Sequence, residues 1–115
     1  MIFLCYERCG TCRKAKAWLD ANGKAYDLRP IKEQNPAVDE LRGWIAASGL
    51  SARKFFNTSG LLYKELQLKD KLPSMTEEEM IALLATDGML VKRPLLIGED
   101  FVLVGFRQAE WEEKL

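Results

Sequence analysis

The stretch MIFLCYERCGTCRKAKAWLDANGKAYDLR, residues 1–29, contains the pattern that decides the fold. The apolar run MIFLC predicts a short strand. Residues 10–22 predict a helix, because their apolar side chains recur at helical spacing: Cys12, Ala15, Trp18 and Leu19. Gly23 is typical of a helix end, and residues 25–29 predict a second strand that stops at Pro30. This order predicts two parallel strands joined by a crossover helix.

Helix signals dominate the middle of the chain, from about residue 35 to residue 88. Asn35 is a typical N-cap and Pro36 a typical first helical residue, so we predict a helix that ends near Gly49. Residues 51–72 predict short helical turns that break at NTSG, residues 57–60.

A capping box predicts a further helix in the same region. Thr76 and Glu79 have the spacing at which each side chain accepts a hydrogen bond from the other residue's backbone N–H. We therefore expect a helix from Glu77 to about Ala85, which Gly88 closes.

The C-terminal part of the chain returns to strand patterns. PLLIGEDFVLVGF, residues 94–106, predicts two strands joined by a tight turn at residues 98–100, and Trp111 with Leu115 marks a short final helix. The whole order predicts one α/β domain over residues 1–115. Its elements are those of a thioredoxin-like (glutaredoxin-like) mixed sheet with an inserted helical subdomain at about residues 35–88.

Composition narrows the choice of partners and compartment. The chain has 17 basic and 17 acidic side chains, so no excess charge favours nucleic acid or an anionic membrane. The N-terminus has only the four-residue apolar run MIFL before Cys5, too short for a signal peptide or a membrane span. We expect a cytoplasmic protein, whose three cysteines are then kept reduced and serve catalysis, redox sensing or metal binding rather than a structural disulfide.

The three cysteines fall within eight positions, at Cys5, Cys9 and Cys12. Cys9 lies at the predicted strand-to-helix turn, where helix N–H groups stabilise a thiolate, so Cys9 is the expected nucleophile. Cys12 lies close enough for a disulfide with Cys9. Arg13, in the first helical turn, is unfavourable there unless it faces an anion such as the thiolate or an anionic substrate. Cys5 is expected to be a small buried apolar residue rather than a third redox partner.

Two kinds of metal site are alternatives for the same cysteines. The three-cysteine spacing resembles the cluster-binding loop of radical S-adenosylmethionine enzymes, but those enzymes need a much larger barrel than 115 residues can form. A structural zinc site needs four ligands, and the chain has no histidine and no second CxxC motif. We expect no metal.

Four segments in this order resemble the arsenate reductase and Spx-type family: CGTCRKAKAWL, ARKFFNTSGLLYKEL, LVKRPLLI and VGF. The resemblance runs from Ile2 to about Trp111. It implies a thioredoxin-like fold with a helical insertion. It also implies a cis peptide bond between Arg93 and Pro94 that faces the active-site cysteine.

The resemblance implies several site residues as well. In the glutaredoxin-coupled enzymes, a cysteine at the position of Cys9 attacks arsenate, and glutathione resolves the adduct. Arg93 matches an anion-binding arginine of the family and Arg107 a further one. Asn57, however, stands where another functional arginine is expected, and Cys5 stands where those enzymes carry a histidine.

Cys12 stands where the arsenate reductases usually have serine, whereas Spx-type regulators have a CxxC motif as this chain does. In those regulators the disulfide controls binding to the RNA polymerase α subunit. The chain ends at Leu115 without the C-terminal tail expected of them.

Taken together, the sequence predicts a thiol–disulfide oxidoreductase with Cys9 as the nucleophile and Cys12 as the resolving thiol. The substrate is expected to be a small oxyanion or a disulfide, held near Arg13 and Arg93. No resident cofactor is expected, and glutathione, glutaredoxin or thioredoxin would act as the reductant. A glutaredoxin-coupled arsenate reductase and an Spx-like regulator remain the alternatives.

Overall fold

The N-terminal pattern folds as a parallel strand pair with its crossover helix. The computed structural model describes all 115 residues. Strand β1 (Ile2–Cys5) pairs in parallel with β2 (Asp27–Pro30), and helix α1 (Gly10–Ala21) connects them. Helix α1 ends where predicted, because Gly23 adopts a left-handed φ of 64° and donates its N–H to the Asp20 carbonyl.

Two further strands complete a four-stranded sheet in the order β2-β1-β3-β4. Strand β3 (Leu95–Ile97) is antiparallel to β1, and β4 (Val102–Val104) is antiparallel to β3. The Gly98 N–H donates to the Phe101 carbonyl at 2.9 Å and closes the turn between β3 and β4. One parallel pair and two antiparallel pairs in this order confirm the predicted mixed, thioredoxin-like sheet.

Helices fill the chain between β2 and β3, as predicted. They are α2 (Val38–Ser48), α3 (Leu61–Glu65), α4 (Leu68–Lys71) and α5 (Glu77–Leu84), with 3₁₀ turns at Ala52–Phe55, Leu72–Ser74 and Gly88–Leu90. The break at residues 57–60 separates the first 3₁₀ turn from α3. Helix α6 (Gln108–Lys114) follows the sheet and buries Trp111. No helix has both the length and the apolar character needed to cross a membrane.

The predicted start of α2 was wrong. The N-cap is Ala37 rather than Asn35, and the Glu40 carboxylate accepts the Ala37 N–H at 3.0 Å. Asn35 serves a different purpose, because its side-chain amide donates to the Ala85 carbonyl at 2.8 Å. This long-range bond ties the loop before α2 to the end of α5, and the sequence pattern did not indicate it.

The capping box of α5 is confirmed, but the predicted role of Gly88 was wrong. The Thr76 side chain accepts the Glu79 N–H at 3.1 Å, and the Glu79 carboxylate accepts the Thr76 N–H at 2.8 Å. Helix α5 already ends at Leu84, and Gly88 begins the last 3₁₀ turn. Glycine is needed there because a Cβ would overlap the carbonyl oxygen of Ile31.

Two apolar clusters pack on the two faces of the sheet, and β1 contributes to both because its side chains alternate. Leu4 packs with the inserted helices, whereas Phe3 and Cys5 pack with α1 and α6. Cys12 belongs to the second cluster as well. The alternation of β1 therefore places Cys5 in the same apolar layer as Cys12.

Candidate active site at the start of helix α1

Cys9 is the N-cap residue of α1 and is half-buried. Its own N–H donates to the Tyr6 carbonyl at 2.9 Å, which fixes the turn between β1 and the helix. The first N–H groups of a helix have no intrahelical acceptor, so those of Thr11 and Cys12 are free to bond the Cys9 sulfur. The predicted strand-to-helix turn thus presents a cysteine to unpaired helix donors.

Two opposing influences act on the pKa of Cys9. Burial is the largest single influence and raises the pKa. Hydrogen bonds from the Cys12 and Thr11 backbone and from the Cys12 thiol, with the positive charge of Arg93, lower it. The lowering influences together prevail, so the pKa of Cys9 lies below the ordinary thiol value.

Cys12 has the opposite character. Its side chain is buried, and this burial is the main cause that raises the pKa of Cys12 to about 12. The neighbouring Cys9 raises it further, while the Tyr6 N–H, which donates to Cys12 Sγ at 3.3 Å, opposes the shift. Of the two thiols, Cys9 is therefore the one that ionises more easily, and Cys12 is the one that burial keeps protonated.

A cavity of about 400 Å³ opens beside Cys9 and gathers residues that are far apart in the sequence. Four residues predicted from the sequence line it: Cys9, Asn57, Arg93 and Arg107. Lys92 also lines it and adds a third cation, whereas no carboxylate does. This charge arrangement favours an anionic ligand next to the nucleophile.

Arg93 is held in place beside Cys9. Its guanidinium carbon lies 5.2 Å from the centroid of the Tyr6 ring, within cation–π range. Its Nη1 makes only a long contact of 3.5 Å with the Met89 carbonyl, and its buried Nε has no partner at all. An arginine with unused donors next to a cysteine of lowered pKa is suited to bind an oxyanion or a carboxylate. The Arg93–Pro94 peptide bond is cis, as the resemblance implies, and Pro94 is buried.

Arg13 lies outside this cavity. Its Nε donates to the Glu7 carbonyl at 2.9 Å, and the side chain lines a second cavity of about 510 Å³. The sequence placed Arg13 near Cys9 by helical spacing, but the guanidinium is engaged by the turn that precedes the helix. The cation beside Cys9 is Arg93 instead.

The Asn57 side chain belongs to a tight turn at the cavity rim. Asn57 Oδ1 accepts a hydrogen bond from the Ser59 hydroxyl at 3.1 Å, and the Gly60 N–H donates to the backbone carbonyl of Asn57 at 3.2 Å. A Cβ at Gly60 would collide with the Asn57 amide. The loop NTSG therefore presents amide and hydroxyl groups to the cavity, as uncharged donors where the resemblance led us to expect an arginine.

Two contributors were not assigned from the sequence. Lys92 precedes Arg93 directly, and its aliphatic stem passes over Gly105, where a Cβ would lie only 3.1 Å from Lys92 Cε. Tyr6 contacts Arg93 through its ring, and its backbone bonds both Cys9 and Cys12. The position of Lys92 directly before Arg93 and Pro94 could have indicated that Lys92 lies at the site. Nothing in the sequence indicates that the Tyr6 ring stacks on the Arg93 guanidinium. No group of three or more histidine, cysteine or acidic side chains is placed to hold a metal ion.

The model of the ArsC family matches residues 4–114 of the chain. Among curated proteins, the global transcriptional regulator Spx 2 of Bacillus anthracis is 26% identical over 102 residues, which cover 89% of this chain and 76% of that protein.

Solved structures agree with this family match. The structure of a Bacteroides fragilis protein described as ArsC family related has 61% sequence identity and a TM-score of 0.96, and the match covers 97% of this chain and 94% of the other. The structure of a possible arsenate reductase from Streptococcus mutans has 46% identity and a TM-score of 0.90, with 99% and 97% covered.

Proposed function

Because the chain belongs to the ArsC family, we propose that it is a thiol–disulfide oxidoreductase with Cys9 as the nucleophile and Cys12 as the resolving thiol. The observation that carries the proposal is the contrast within the pair. The helix start and the charge of Arg93 lower the pKa of Cys9, whereas burial raises the pKa of Cys12 to about 12. A nucleophile needs the thiolate form, and a resolving thiol must remain protected until an adduct forms.

The reaction begins when the Cys9 thiolate attacks one sulfur of a substrate disulfide. A bond forms between Cys9 Sγ and that sulfur, and the other substrate sulfur leaves as a thiolate. Cys12 then loses its proton and attacks Cys9 Sγ, which releases the second substrate thiolate and leaves a Cys9–Cys12 disulfide. The substrate has gained two electrons, and an external thiol donor such as glutathione, glutaredoxin or thioredoxin returns the protein to its reduced form.

Formation of the adduct itself activates Cys12. The negative charge of Cys9 is one of the causes that hold the pKa of Cys12 high. That charge disappears when Cys9 becomes part of a mixed disulfide. The Tyr6 N–H, 3.3 Å from Cys12 Sγ, remains in place to stabilise the Cys12 thiolate. Loss of the Cys9 charge and the bond from Tyr6 therefore both favour the attack of Cys12 in the second step.

Reduction of arsenate is the second candidate function. It is favoured by the cation-lined cavity, because a guanidinium fork such as that of Arg93 suits a tetrahedral oxyanion. Cys9 would displace an oxygen of arsenate to form a sulfur–arsenic bond. Attack of Cys12 on Cys9 Sγ would then leave that bond's electron pair on arsenic, which becomes arsenite. The same two thiols supply both electrons.

The test is to trap the adduct. Reduced protein is mixed with oxidised glutathione, quenched with acid and weighed by mass spectrometry. With one equivalent of oxidised glutathione, we expect Cys12→Ser to carry one glutathione on Cys9, Cys9→Ser to carry none, and the wild type to lose two thiols to an internal disulfide. Adduct formation that survives Cys9→Ser would overturn the assignment.

The same assay separates the alternatives. Loss of two thiols on addition of arsenate alone would favour arsenate reduction. A disulfide that forms without turnover in the presence of glutathione, glutaredoxin or thioredoxin would favour an Spx-like regulator. For that case the matching measurement is redox-dependent pull-down of the C-terminal domain of the RNA polymerase α subunit.

A further inference from the structure

A third thiol lies beside the buried member of the pair. Cys5, the last residue of β1, is only 7% exposed. Cys5 and Cys12 belong to the same apolar cluster, and both line the second cavity, of about 510 Å³. Cys9 lines the cation-lined cavity instead. Cys12 therefore has two thiol neighbours, and only one of them takes part in the proposed reaction.

The backbone limits the separation of Cys5 from Cys12. The Tyr6 nitrogen lies 3.3 Å from Cys12 Sγ. The Cα of Cys5 is joined to that nitrogen through a single carbonyl carbon, so Cys12 Sγ lies within about 6 Å of the Cys5 Cα. This separation is small enough to allow a disulfide when the Cys5 side chain is turned towards Cys12.

We propose that Cys5 is a third redox thiol, which replaces Cys9 as the disulfide partner of Cys12 after the first oxidation. The proposal rests on the proposed function, because the Cys9–Cys12 disulfide is its starting point. The Cys5 thiol loses its proton to solvent through the second cavity and attacks Cys12 Sγ. A Cys5–Cys12 bond forms, the Cys9–Cys12 bond breaks, and Cys9 leaves as a thiolate. The step is an exchange within the chain and needs no further oxidant.

The surroundings of the three sulfurs favour this direction of exchange. Cys9 is the best leaving group, since the N–H groups of Thr11 and Cys12 and the charge of Arg93 stabilise it as a thiolate. For Cys5 burial is the largest influence and outweighs the opposing charge of Lys16, so the pKa of Cys5 lies above the ordinary value. The exchange therefore moves the negative charge from a site that opposes it to a site that stabilises it.

The consequence is that Cys9 recovers its reactivity while the chain is still oxidised. With excess oxidised glutathione, Cys9 attacks a second molecule and keeps the glutathione, because Cys12 is already occupied. Each chain then releases three molecules of glutathione instead of two and retains one as an adduct. Without Cys5, the reaction stops at the Cys9–Cys12 disulfide, with two molecules released and none retained.

The sequence allows a direct test, because trypsin cleaves after Arg8 and Arg13. Cys5 then lies on the peptide of residues 1–8, and Cys9 and Cys12 share the peptide of residues 9–13. Wild-type protein is oxidised with one equivalent of oxidised glutathione, its free thiols are alkylated at acidic pH, and the digest is analysed by mass spectrometry. We expect the two peptides to be joined by a disulfide, with the alkyl group on Cys9.

The digest of the wild type by itself distinguishes the two disulfides, and Cys5→Ala is the matched control variant. The variant should give an internal disulfide within residues 9–13, with no retained glutathione under excess oxidant. The relay is overturned if the wild type gives the same result as Cys5→Ala, or if the alkyl group lies on Cys5. Absence of any disulfide in both proteins would instead overturn the proposed function on which the relay rests.

Discussion

The guanidinium of Arg93 lies over the ring of Tyr6, 5.2 Å from its centroid, and the backbone of Tyr6 bonds both cysteines of the CxxC motif. One residue thereby fixes the position of the cation, of the Cys9 turn and of the Cys12 sulfur. The charge that favours the Cys9 thiolate is held in place by an aromatic face rather than by an ion pair.

Replacement of Tyr6 by leucine should therefore raise the pKa of Cys9. The stacking contributes about 0.5–2 kcal/mol to holding a cation in position, and leucine cannot supply it. The measurement is the rate of Cys9 alkylation as a function of pH. Tyr6→Phe is the control: it keeps the ring and should follow the wild-type profile. An identical profile for Tyr6→Leu would contradict the positioning role of the ring.

Two arginines give a matched pair for the electrostatics of the site. Arg93→Gln should shift the pH profile of Cys9 alkylation upward and reduce kcat/KM for an anionic disulfide by roughly 10- to 100-fold, because a charged hydrogen bond to the substrate is lost. Arg13→Gln removes the same charge outside the cavity and should leave both quantities nearly unchanged. Equal effects of the two substitutions would contradict the assignment of Arg93.

Much of the fold followed from local signals, and the exceptions have physical causes. Gly23 and the Thr76 capping box act within a few residues, so the sequence pattern revealed them. Asn35 and Gly88 instead serve contacts with Ala85 and Ile31, which lie far away in the sequence. Periodicity carries no information on such contacts, so both residues were assigned to the nearest helix end.

The same distinction holds for the site. Cys9 was identified because a strand, a turn and a helix start are local features. Arg93 and Asn57 came from the family resemblance, since nothing local connects them to Cys9. The engagement of Arg13 by the Glu7 carbonyl and the stacking of Tyr6 depend on side-chain directions, which spacing alone does not determine.

The salt bridge between Arg29 on β2 and Glu40 on α2 should make stability depend on pH. Arg29 Nη2 and Glu40 Oε1 are 2.8 Å apart, and the hydrogen bond from Arg29 lowers the pKa of Glu40. A lowered carboxyl pKa stabilises the fold above the unfolded-state value of about 4.3, and this gain is lost as the pH falls. Glu40→Gln should lower the free energy of unfolding at neutral pH by about 1 kcal/mol, a value reduced by solvent screening.

Urea denaturation at neutral and acidic pH measures this difference. The difference in the free energy of unfolding between wild type and Glu40→Gln should disappear at a pH well below the pKa of this carboxyl in the unfolded chain. Glu78→Gln is the control, because its salt bridge with Arg42 is between exposed side chains and should contribute less. A gap that persists in acid would show that packing, not charge, accounts for the contribution of Glu40.

Two glycines should respond oppositely to alanine. Gly88→Ala should destabilise the protein by about 1–3 kcal/mol, because the new Cβ would overlap the Ile31 carbonyl and force a backbone shift. Gly43 lies in α2 with nothing near its missing Cβ, so Gly43→Ala should stabilise by about 0.5–1 kcal/mol. Thermal or urea unfolding of both variants checks the prediction, and a neutral Gly88→Ala would contradict the packing described here.

The most direct measurement is the burst of coloured thiolate released when reduced protein is mixed with an anionic aromatic disulfide such as 5,5′-dithiobis(2-nitrobenzoate) at about pH 6, where ordinary thiols are almost fully protonated. We expect a fast phase in the wild type that persists in Cys5→Ala, becomes slower in Arg93→Gln and disappears in Cys9→Ala. A fast phase that remains in Cys9→Ala would contradict the role of Cys9 as the thiolate nucleophile. The same holds if the wild type reacts only when the pH of the solution approaches the pKa of an ordinary thiol.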